Sequence, residues 1–140
     1  MINDVAGEMK VKIGIDLDDT ITELPWLFEI LTRGLKEAGH EIHIITYRDE
    51  ATSREIEKEL IGYKITYDKI HLPAANRLPV EWKAEVAKAL QLDLMFDDSP
   101  EVLAGMPATT KRVWLCDPEI FDLRVCIAAM KAHAKLPVIH

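Results

Sequence analysis

KIGIDLDDTITELP, residues 12–25, decides how the rest of the chain is read. Its first half is β-branched and apolar, as in a strand buried on both faces. It runs directly into Asp16, Asp18 and Asp19. In an extended backbone two residues return a side chain to the same side, so Asp16 and Asp18 aim at one region. Carboxylates placed that closely repel each other unless a cation sits between them.

Working outward, strand-like and helix-like stretches alternate. A strand over 10–16 (KVKIGID) is followed by a helix over 24–38, whose Leu24, Leu27, Phe28, Leu31 and Leu35 fall on one stripe, with Gly39 as its stop. A second strand is expected over 41–46 (EIHIIT). A charged amphipathic helix over 51–61 follows, closed by Gly62, then a third, more exposed edge strand over 64–72. The remainder reads as a helix over 80–90, a strand over 93–96, a short helix over 100–104, a strand over 111–116 and a closing helix over 118–134. The alternation predicts one α/β domain with a parallel sheet covered on both faces, starting after a lead-in of residues 1–9.

Bulk composition bounds the function. The chain has 140 residues, 49% of them hydrophobic and 29% charged, a globular balance for one domain. A net charge of −7 and a pI near 5.2 argue against a nucleic-acid backbone as partner, since that affinity comes from Lys and Arg. No apolar run reaches the roughly 18 residues that would cross a bilayer. MINDVAGEMK lacks the apolar segment of a secretory leader. Cys116 and Cys126 read as small buried hydrophobes in a reducing compartment. The expected location is cytoplasmic.

In parallel sheets, function gathers at the carboxyl ends of the strands where the strand order reverses. Asp97 and Asp98 (LMFDDSPE) end another short apolar strand. With Asp16 and Asp18 they form the donor set of a hard cation, magnesium (Mg2+) being the best fit because it prefers oxygen ligands and keeps waters that a phosphate can replace. Thr46 ends the second strand and offers a hydroxyl to phosphate oxygens. Lys83, at the start of the helix in PVEWKAEV, offers a point charge. Lys88 lies on another helical face and further from the strand ends, so Lys83 is preferred. Arg48 reads equally as a substrate-binding group or a solvated loop charge. Together these groups are the equipment of phosphoryl transfer through an aspartyl-phosphate.

DLDDT, a strand-end Thr, a helix-start Lys and a strand-end DD, in that order, resemble the haloacid dehalogenase (HAD) superfamily over roughly residues 10–116. The resemblance implies a Rossmann-like three-layer sandwich over 10–140, with strand order 5-4-1-2-3. It implies a magnesium-dependent phosphatase that hydrolyses a phosphomonoester, a nucleotide or a sugar phosphate. Asp16 would be nucleophile and metal ligand, and Asp18 general acid/base and metal ligand. Thr46 and Lys83 would hold the phosphoryl group, and Asp98 and Asp97 would complete the metal site. A ITYRD stretch adds a weaker likeness to the deoxyribonucleotidase-like group.

Such relatives often carry a cap domain. Here only 25 residues separate Thr20 from Thr46 and 36 separate Thr46 from Lys83, too few for a full cap. The site is therefore expected to be open or covered by a second subunit in a homo-oligomer. The competing expectation is a catalytically silent binding or signalling module of the same fold. A response-regulator receiver fits less well, because the third strand ends HLPAAN without an aspartate.

Overall fold

The computed structural model describes residues 9–117 and the helix Leu123–Ala134. The expected lead-in, the first turn of the closing helix and the Cys126 side chain lie outside the described residues. Strand β1 (Lys12–Ile15) leads through a tight turn, Leu17–Ile21, into helix α1 (Pro25–Glu37). Strand β2 (Glu41–Ile45), a single 3-10 turn (Glu50–Thr52) and helix α2 (Ser53–Gly62) follow. Then come β3 (Lys69–His71), α3 (Pro79–Leu90), β4 (Leu94–Asp97), α4 (Pro100–Ala104), β5 (Lys111–Trp114) and α5 (Leu123–Ala134). Proline opens α1, α3 and α4, where its missing N–H costs nothing and its fixed φ suits the first turn.

The five strands form one parallel sheet in the order β3-β2-β1-β4-β5. This is the expected three-layer arrangement. The order reverses between β1 and β4, so the tips of those two strands flank the crevice where ligands settle in such sheets. The register fixes the detail. Ile15 lies beside Phe96, and the Asp16 amide donates to the Phe96 carbonyl at 3.0 Å. The residues that end the two strands are thereby brought side by side.

Alternation along the strands sorts the core into two layers. On one face Ile13, Ile15, Ile42 and Ile44 pack against Phe28 of α1 and Ile56 and Leu60 of α2. The rings of Phe28 and Phe96 meet edge to face, with centroids 5.7 Å apart. On the other face Ile45 and Met95 pack with Trp82 and Ala87 of α3 and with Val102 and Leu103 of α4. Gly14 belongs to this second layer. A Cβ added there would stand 2.7 Å from both Leu92 Cδ1 and Met95 Sδ.

Three local expectations need correction. The third strand is shorter than 64–72, because its leading residues spend their hydrogen bonds elsewhere. The Ile65 amide donates to the Leu60 carbonyl at 2.9 Å, and the Thr66 amide to Thr32 Oγ1 at 3.1 Å. Asp68 accepts from Lys36 Nζ at 2.6 Å and from the Ile42 amide at 2.7 Å. Gly62 closes α2 only as its last residue, and the left-handed position falls on Lys64 at φ 59°. Cys116 is exposed rather than buried, since β5 has ended before it.

A polar chain joins β2 to the edge strand β3. His43 Nε2 lies 2.7 Å from Glu41 Oε1, and His43 Nδ1 lies 2.9 Å from His71 Nε2. One ring of the pair must present an N–H and the other a lone pair, so extra protons are unwelcome. Burial, then the neighbouring His43 and Lys69, push the His71 pKa down to about 4.

Two stability outcomes follow from this packing. Gly14→Ala should destabilise the fold by about 1–3 kcal/mol in urea titration, the usual cost of overpacking. For His71, the unfolded chain binds more protons than the folded one between its ordinary pKa of 6.5 and the folded value near 4. Its contribution is therefore intact above that window and is lost as the pH falls through it, by roughly 1–2 kcal/mol after solvent screening. His71→Gln should flatten this slope in unfolding midpoints measured across the same range.

Candidate functional site

Lys83 enters the protein from the first turns of α3 and is buried between the tips of β1 and β4. Its Nζ lies 2.8 Å from Asp16 Oδ1 and 2.8 Å from Asp97 Oδ2. Thr20 Oγ1, from the turn after β1, donates to Asp16 Oδ2 at 3.2 Å. The other Asp97 oxygen accepts from the Ser99 amide at 2.9 Å, while the Ser99 side chain caps α4 by accepting from the Val102 amide. Lys88, the competitor on the same helix, is exposed.

Asp16, Asp97 and Asp98 each offer a carboxylate oxygen, and these atoms all lie within 4.8 Å of one another. One ammonium therefore faces three carboxyl groups, and negative charge is in surplus around it. Burial raises the pKa of Asp16, with Asp97 adding to the rise and Lys83 opposing it. Asp98 is pushed up to about 7 by burial, by its hydrogen bond with Asp16 and by the charges of Asp16 and Asp97. Burial alone would lower the Lys83 pKa, but its two ion pairs outweigh burial and raise it. A donor set of this kind fits a hard divalent cation. It is all oxygen, it carries more charge than its lysine can balance, and its span suits one ion.

The other expected site residues are placed differently. Asp18 forms an ion pair with Arg48, whose Nη2 lies at 2.6 Å and Nε at 3.0 Å. The same guanidinium pairs with Glu59 of α2. That contact holds the Asp18 carboxyl below its usual range, chiefly through the Arg48 hydrogen bonds. Asp18 is thus paired with Arg48 and is not among the three carboxylates that meet within 4.8 Å. Arg48 is likewise engaged by carboxylates while remaining partly exposed. Thr46 is fully buried, and its hydroxyl has no hydrogen-bond partner among the described residues. Asp19 is a turn residue at φ 61°, its amide donating to Thr22 Oγ1 at 2.9 Å.

A cavity of about 400 Å³ opens beside Asp98, lined by Asp19, Glu23, Leu24, Leu115, Cys116 and Asp117. Of these, Asp117 was within reach of sequence reasoning, because it too follows a strand end. Glu59 was not, since nothing in a surface helix marks one glutamate as the partner of a loop arginine. A second cavity of about 360 Å³ lies over Tyr47, Arg48 and the 73–76 loop.

No protein-family model matches the chain, and no curated protein matches it. A solved structure described as a universal stress protein in complex with cAMP matches with a TM-score of 0.48 and 13% identity, covering 76% of this chain and 97% of that one. No family model or curated relative supports the haloacid dehalogenase resemblance drawn from DLDDT and its companions, and the structure matched here is a universal stress protein, not a haloacid dehalogenase. The phosphatase activity, the hydrolase assignment and the aspartyl-phosphate on Asp16, expected from the residues and from the resemblance, find no support in these comparisons and are not carried further. What stands is the three-layer Rossmann-like fold. Among the described residues, no helix is long and apolar enough to cross a membrane.

Removing the ammonium isolates the effect of charge crowding. Lys83→Met should cost about 3–5 kcal/mol of unfolding free energy at neutral pH, because it strands buried carboxylates without their partner. Adding Asp16→Asn to it should recover part of that loss, and additive effects of the two substitutions in a denaturation cycle would contradict the contact.

Proposed function

We propose that the protein is a divalent-cation-dependent binding module for a small phosphorylated molecule, with magnesium as the natural ion. Asp16, Asp97 and Asp98 would hold the metal, and Lys83 would set the charge balance around it. The observation that carries this reading is the convergence of three acidic oxygens within 4.8 Å at the reversal point of the sheet. The buried, unpartnered Thr46 hydroxyl at the same sheet edge supports it. A bound magnesium keeps waters that phosphate oxygens can replace, which is the chemistry the ion would supply.

The neighbouring cavity narrows the ligand. Asp19, Glu23, Asp98 and Asp117 line it, so a ligand group lying there would carry hydroxyls or an amine in preference to a carboxylate. The small phosphorylated ligand is thus expected to bear one phosphate and an otherwise uncharged or cationic body. No hydrolytic step belongs to this reading.

Thermal unfolding in magnesium and in chelator tests the metal. A ligand that binds only the folded state at a hundred times its Kd stabilises by about 2.7 kcal/mol, which moves the midpoint of a domain this size by several degrees. Asp98→Asn should abolish the magnesium shift while leaving the chelator midpoint unchanged or raised. Calorimetric titration of a panel of nucleoside monophosphates, sugar phosphates and aminoalkyl phosphates should then give binding only with magnesium present. A wild-type midpoint indifferent to magnesium would overturn the proposal.

A further inference from the structure

Helix α1 has two faces of unequal purpose. Phe28, Leu31 and Leu35 point into the core beneath the sheet. The opposite side carries Trp26 and Ile30, 62% and 56% exposed, with Leu27 beside them. Four residues beyond Ile30 stands Gly34, in the helix interior, where glycine costs about 1 kcal/mol relative to alanine. Nothing among the described residues asks for it. A Cβ built on Gly34 meets no atom within 4 Å among the described residues, and its φ is not positive.

Trp26, Ile30 and Gly34 follow the i, i+4, i+8 ridge of the helix, so they form one continuous row. The row has a bulky ring at one end, a branched aliphatic residue in the middle and a gap at the other end. A two-fold axis passing over Ile30 exchanges the two ends. We infer that this row is a homodimer surface. Two copies of α1 lie antiparallel, Ile30 meets Ile30 of the second copy, and each indole seats over the gap at the other copy's Gly34. The absent side chain lets the indole approach the backbone, which explains both the exposed tryptophan and the glycine. Exposed Arg33, next to Gly34, falls opposite the second copy's Leu27 and can lay its methylenes over it. This pairing does not depend on what the acidic site binds.

A contact of one helix against one helix is at the small end of protein interfaces, so the dimer should be weak, with a Kd in the micromolar range. Sedimentation velocity on the full chain, over a concentration series up to about 100 µM, reads it directly. Gly34→Gln replaces the gap with a good helix former. It should raise the thermal midpoint at dilute concentration yet weaken dimerisation about tenfold or more. Trp26→Glu should weaken it equally, with an unchanged circular dichroism spectrum. On a Cys116→Ser background, Ile30→Cys should form a disulfide-linked dimer under mild oxidation, while the background chain does not. A chain that stays monomeric across the series, or a dimer that Gly34→Gln and Trp26→Glu both leave intact, would overturn the inference.

Discussion

The Lys83 ammonium, shared by Asp16 and Asp97, is the contact on which the arrangement of the site depends. Neither carboxylate could stay buried at a strand tip without it, because charge taken out of water needs a partner close by. The contact also imposes geometry. It requires β1 and β4 to be neighbours, it requires α3 to begin at their tips, and it requires the side chain to enter between the layers. The parallel register with Ile15 beside Phe96 meets the first demand. Pro79 at the first position of α3 helps meet the second by fixing where the helix starts. The balance is incomplete even so, since Asp98 brings a third acid for which the cluster has no second cation.

Much of this was legible in the sequence. Strand and helix periodicities gave the right elements in the right order, because a doubly covered parallel sheet leaves long apolar strands and amphipathic helices as its trace. Asp16 and Asp97 were recognisable as strand-end acids, and Lys83 was separable from Lys88 by its place at a helix start. What escaped notice is what a linear pattern does not encode. Arg48 meets Asp18 across 30 positions and Glu59 across 11, and a loop arginine gives no hint of which acids it will find. The length of β3 depended on Asp68 and Thr66 bonding to α1 and β2, a tertiary choice that overrides local strand propensity.

The family resemblance went further than its residues could carry it. Acids at the tips of adjacent parallel strands, with a lysine between them, are a local balance of buried charge that any sheet of this kind can build. The pattern therefore speaks for local chemistry more firmly than for descent or reaction, since one fold hosts many unrelated functions. Asp18 illustrates the difference. Its spacing from Asp16 suggested a place in the acidic cluster, but its carboxylate pairs with Arg48 instead.

Arg48 itself has a mechanical meaning. Its guanidinium grips the turn after β1 with one edge and α2 with another. A single side chain thus braces two segments that the backbone connects only by a long route. Displacement of the acidic turn would have to drag α2 along or break a two-sided clamp, so that flank of the crevice behaves as one stiff wall.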